Sequence, residues 1–118
     1  MRTVFFLLTA AAVLASAPPA NADNLKQRLA KVPAPAFVSE KSAGDIEYCI
    51  SLGTAQWMHP NTLRGEHTVT LYGTPDDNLF GLVFYAIVIS DSGAQRTIAF
   101  NAHPSWNGRT ERLIRSCV

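Results

Sequence analysis

Hydrophobic residues recur along this chain with two periods, and the points where the period changes divide it into elements. Leu25, Leu29 and Val32 stand at i, i+4 and i+7, which predicts a short helix over residues 24–32. Pro33 and Pro35 stop it, because neither can donate a backbone hydrogen bond and each restricts the residue before it. Residues 36–38 follow in extended form and lay Phe37 on the core. A second helix is predicted from Ser42. Ser42 stands three residues before Asp45, as in a capping box, Ile46, Cys49 and Ile50 form an apolar stripe, and Gly53 supplies the stop. Residues 54–65 show no period. Pro60, Asn61 and Gly65 mark them as a loop, and a loop of that length in a small domain points to a role.

The period then becomes two. Val69 and Leu71 alternate with Thr68, Thr70 and Tyr72, which predicts a half-buried strand over residues 66–72. Residues 73–78 read as a turn. Residues 79–90 are apolar on both faces, as a central strand is, with Gly81 marking a bulge. Asp91, Ser92 and Gly93 close a hairpin, and residues 95–101 return as a strand with Ile98 and Phe100 inward. A last helix, capped by Ser105 or Asn107, carries Trp106, Thr110, Leu113 and Cys117 on one stripe.

The order α-α-β-β-β-α predicts an α+β fold: a three-stranded antiparallel meander with two cysteine-bearing helices side by side on one face. Its second face would hold Thr70, Tyr72, Val83, Tyr85, Ile87, Thr97 and Ala99. That set is too apolar for water, so either residues 24–38 cover it or a second copy of the chain does.

The first 22 residues stand apart from this pattern. Arg2 gives a short positive start, an apolar run extends from Val4 to Ala15, and Ala20-Asn21-Ala22 forms a small-x-small cleavage site. As a helix that run reaches only about 18 Å, short of the ~30 Å of a bilayer core. Residues 1–22 therefore read as a cleaved secretory signal peptide and residues 23–118 as one mature domain, exported to a periplasm or beyond the cell. Residues 23–40 form its N-terminal helix and arm.

Export changes the reading of the cysteines. Cys49 and Cys117 lie 68 residues apart with no C-x-x-C spacing. In an oxidising compartment they predict one structural disulfide, joining the second and last helices. Closing a loop of that length is worth about 4 kcal/mol in the chain-entropy model.

Charge excludes one class of partner. Of the 118 residues, 10 are Lys or Arg and 9 Asp or Glu. Arg2 leaves with the signal peptide, so the mature domain is neutral and lacks the basic excess of a nucleic-acid binder.

Candidate chemistry is sparse. The chain has no phosphate-binding glycine loop, no G-x-S-x-G, no H-E-x-x-H and no metal-ligand spacing among His59, His67 and His103. Asp76-Asp77, Asp91, Asp45 and Glu47 fall in turns or at a helix start, where a carboxylate is solvated. No cofactor is implied. Two similar clusters remain: Trp57-Met58-His59-Pro60-Asn61 and His103-Pro104-Ser105-Trp106-Asn107, with Arg109 beyond. If the fold joined them, Trp57, His59, His103, Asn107 and Arg109 would line a pocket whose ring faces and N–H donors suit a sugar or peptide. The competing reading leaves Trp106 in the core and the prolines as punctuation.

The leading expectation is a non-enzymatic envelope module. It would bind a protein or cell-wall polymer through the open sheet face or the loop from Trp57 to Gly65, or pair with a second copy of itself through the open sheet face. The alternative is a binder of a small sugar, peptide or metal; a further alternative is a small hydrolase.

Overall fold

The computed structural model describes residues 19–75 and 81–118. Most of the expected signal peptide lies outside these residues, as do Asp76, Asp77, Leu79 and Phe80. The described chain forms three helices and five strands: α1 (Pro19–Ala30), β1 (Phe37–Ser39), α2 (Ala43–Thr54), β2 (His59–Arg64), β3 (Thr68–Thr74), β4 (Tyr85–Asp91), β5 (Arg96–Ala102) and α3 (Pro104–Cys117). The strands make one antiparallel sheet in the order β1-β5-β4-β3-β2. The meander of the sequence reading is its centre, β3-β4-β5, and two short edge strands extend it from three strands to five.

Both additional strands come from segments with little hydrophobic signal. β1 keeps Phe37 and Ser39 buried and Val38 exposed, and pairs Phe37 with Ile98. β2 occupies half of the expected 54–65 loop. It buries none of its residues fully, so no alternation betrays it; the hydrogen-bonded ladder to β3 holds it, His59 opposite Thr74 through Arg64 opposite Val69. Pro60 is tolerated there because an edge strand has one side with no ladder partner to donate to.

Register corrects the assignment of faces. Ile87 lies opposite Leu71 and Phe100, Ile89 opposite Val69 and Ile98, and Tyr85 opposite Gly73 and Ala102. Directly opposed residues share a face, so Tyr85 and Ile87 belong on the helix side rather than the second face. There they join Ile46, Ile50, Leu71, Ile98 and Ile114 in the main core. The strand was apolar on both sides and carried no phase of its own. β4 also begins later than expected, at Tyr85, after Gly81 at φ 64°.

The second face is covered in part by α1. Leu25 and Leu29 pack on Tyr72, Val83 and Ala86. Arg28 fastens the helix, donating to the Val83 carbonyl at 3.2 Å and to Asn101 Oδ1 at 3.0 Å, and Asn24 donates to the Gly81 carbonyl at 2.6 Å. Beyond the reach of α1, Val38 and Leu63 remain exposed. No helix among the described residues is long and apolar enough to cross a membrane.

α2 and α3 run antiparallel over the other face. The Ser42 hydroxyl caps α2 by accepting the Asp45 N–H at 3.1 Å. Three contacts follow the seam between the helices. Cys49 is bridged to Cys117 with Cα atoms 5.7 Å apart, Gly53 faces Leu113, and Trp57 meets Trp106. Gly53 does not end α2. The helix runs on through Thr54, and a Cβ on Gly53 would overlap the Leu113 side chain. Its small size is spent on helix contact, not on a left-handed cap. Nor is α3 capped by Ser105 or Asn107. Its cap is His103, whose Nδ1 accepts the Ser105 N–H at 3.1 Å, with Pro104 in the first turn where its missing N–H costs nothing.

Candidate functional site

The end of α2 and the start of α3 bring the two tryptophan clusters together. After Thr54 the chain makes one more turn, with the Trp57 and Met58 amides both donating to the Thr54 carbonyl at 2.9 and 3.1 Å. That turn buries Met58 against Gly73 and Tyr85 and leaves Trp57 half-buried at the seam. On the other side, the Phe84 carbonyl accepts the His103 N–H at 2.7 Å, which fixes the start of α3 beside the segment entering β4.

The side chains then form a continuous aromatic row. The Trp57 and Trp106 rings stack with centroids 5.9 Å apart and planes inclined by 27°. Phe84 lies 6.3 Å from Trp106 and meets the His103 ring edge-on at 6.1 Å. Arg109, one turn beyond Trp106, sets its guanidinium carbon 4.8 Å from the Trp106 centroid and 5.3 Å from that of Trp57. The two indoles and the guanidinium thus make a triangle with sides of 4.8, 5.3 and 5.9 Å. A guanidinium within about 6 Å of an aromatic face gains about 0.5–1 kcal/mol at an exposed position.

Trp57, Phe84 and Trp106 are half-buried against the core, while His103 and Arg109 are exposed. Among the described residues, Arg109 forms no hydrogen bond or ion pair, so its N–H donors are unspent. The His103 Nδ1 is occupied as an acceptor, which leaves Nε2 as the outward donor. The surface offers the exposed parts of half-buried rings together with N–H donors. Its assembled side chains include no nucleophile set against a base.

Of the five residues proposed from sequence, Trp57, His103 and Arg109 come together here. Asn107 is exposed on α3, one residue beyond Trp106. His59 is displaced. It begins β2 opposite Thr74, and the pleat sends it to the face of Tyr72 and Thr74, away from α2 and α3. Its neighbour Asn61 is spent locally, donating to the His59 and Tyr72 carbonyls and to the Thr74 hydroxyl at 3.1–3.3 Å. Two members were missed. Trp106 was read as core, and it is half core and half surface. Phe84 was hidden inside a continuous apolar run.

The opposite end of the sheet carries a shallow groove of about 470 Å³ lined by His67, Asp91, Ser92 and Gly93. The Gly93 N–H, donated at 2.8 Å, holds the Asp91 carboxyl below its ordinary value; the Arg96 and His67 charges add to this, and partial desolvation opposes it. Arg96 ties the hairpin to the β1 arm, donating to Asp91, to the Gly93 carbonyl and to the Glu40 carbonyl. These contacts close a turn. Among the described residues, no three His, Cys, Asp or Glu side chains converge to hold a metal ion.

Compared with known protein families, with curated proteins and with solved structures, the chain matches none. Function is therefore argued from the site alone.

Proposed function

We propose that this chain is an exported, non-catalytic binding module of the cell envelope, and that the Trp57–Trp106–Arg109 platform is its recognition surface. One observation carries the reading: two tryptophans from separate sequence clusters stack on each other and share one arginine that has no other partner among the described residues. Large, rigid aromatic faces contribute contact area at low entropic cost, and a fixed guanidinium adds direction. The apolar start of the chain and the single disulfide suit a periplasmic or extracellular setting.

The protein contains two tryptophans, and both lie in the platform. Its intrinsic fluorescence is therefore a direct reporter. Titration of the oxidised protein with soluble cell-wall glycans, neutral and acidic sugars, and short peptides should give a saturable change in emission with at least one class. The Trp57→Ala and Trp106→Ala variants should each weaken that binding at least tenfold while keeping the wild-type circular dichroism. Flat emission across the panel would overturn the reading.

A further inference from the structure

We infer that the platform selects a six-membered ring bearing a carboxylate, an acidic sugar of the uronic-acid class, with Arg109 taking the carboxylate while the ring lies on the indoles. This deepens the proposed function and rests on it. Three observations point to an anion. The Arg109 guanidinium is exposed and has no ion-pair partner among the described residues. The next exposed arginine, Arg112, stands one turn on and folds back towards Gly108, with its Nη1 3.4 Å from where a Cβ on Gly108 would lie. It too makes no ion pair among the described residues, whereas Arg115 beyond it is tied to Glu111 at 3.2 Å. Among the described residues, the exposed side of α3 from the indoles onward therefore carries two arginines with no ion-pair partner.

Geometry narrows the class of ligand. The guanidinium carbon lies about as far from each indole centre as the two indoles lie from each other. A carboxylate held by the guanidinium is therefore immediately beside an aromatic face. A rigid ring with a carboxylate bonded directly to it meets both at once. A peptide C-terminus offers the same carboxylate, but its side chain hangs on rotatable bonds that must be ordered on binding. Arginine rather than lysine suits the role because its planar fork takes both carboxylate oxygens.

The test uses a disaccharide ending in glucuronic acid, the same disaccharide ending in glucose, and the dipeptide Ala-Phe as free acid and as amide. Each is titrated by fluorescence into the oxidised protein and into its Arg109→Gln and Arg109→Lys variants, with melting curves confirming that the variants fold. The acid sugar should bind at least tenfold more tightly than its neutral counterpart. Arg109→Gln should abolish that ratio, and Arg109→Lys should restore less than half of it on a logarithmic scale. Equal binding of acid and neutral sugars, both lost in Trp57→Ala, would overturn this inference and leave the platform standing as a site. Tighter binding of the dipeptide acid would overturn the choice of ring. No binding by any probe, or binding indifferent to Trp57→Ala and Trp106→Ala, would overturn the platform itself.

Discussion

Gly73 shows how tightly single positions are specified. It lies opposite Tyr85 in the sheet, and the fully buried tyrosine ring occupies the space above it. A Cβ on Gly73 would overlap that ring and would sit 2.6 Å from the Met58 sulfur. Gly73→Ala should therefore cost about 3 kcal/mol, the upper end of overpacking penalties, read as a fall in the urea midpoint. An unchanged midpoint would contradict the packing described. Asp91 makes a prediction of the other kind. Its carboxyl lies below its ordinary value of 3.8 in the folded state, chiefly because it accepts the Gly93 N–H. A carboxyl with a lowered folded value stabilises above the unfolded value and loses that contribution as pH falls. Stability measured from pH 6 down to pH 2 should thus decline more steeply in the wild type than in Asp91→Asn. Parallel acid limbs would rule the contribution out.

At the scale of elements, what the sequence disclosed depended on where each element draws its stability. α2, the β3-β4-β5 meander and α3 bury one face or both, and hydrophobic period revealed them. β2 draws on a ladder of backbone bonds to β3 and on Asn61, and backbone pairing leaves no mark on composition. The phase of β4 was equally hidden, because Tyr85, Ala86, Ile87 and Ile89 are all buried and only the register with Leu71 decides which side they face. The site was legible in part for the same reasons. Trp57, His103 and Arg109 stood out because the two clusters repeat one another. His59 was misplaced because its strand was unseen, and a strand sends neighbours to opposite faces. The disulfide was the clearest feature of all, since an expected export signal and an even cysteine count suffice to predict it. Replacing both Cys49 and Cys117 with Ser should lower stability by about 4 kcal/mol. Equilibrium denaturation under oxidising conditions measures this, and a variant as stable as the wild type would contradict a stabilising role.

For the molecule as a whole, the two faces of the sheet are unequally finished. One lies under α2 and α3 and holds the main core. The other is covered at one end by α1, in line with the first of the two alternatives for that face, while Val38 and Leu63 stay exposed. The aromatic platform belongs to the finished side, at the end of the sheet where β4 begins and β5 ends. The hairpin groove at Asp91 lies at the far end of β4, about 20 Å away at the usual rise of a strand.

The seam between α2 and α3 has a mechanical consequence. The covalent tie lies at Cys117, in the last turn of α3, and the stacked indoles lie near its first turn, about 16 Å away along the helix. α3 is thus tied at both ends, covalently at Cys117 and, at its start, by the His103–Phe84 hydrogen bond and the stacked indoles. The bridge thereby gives the platform a repeatable geometry as well as giving the chain its stability.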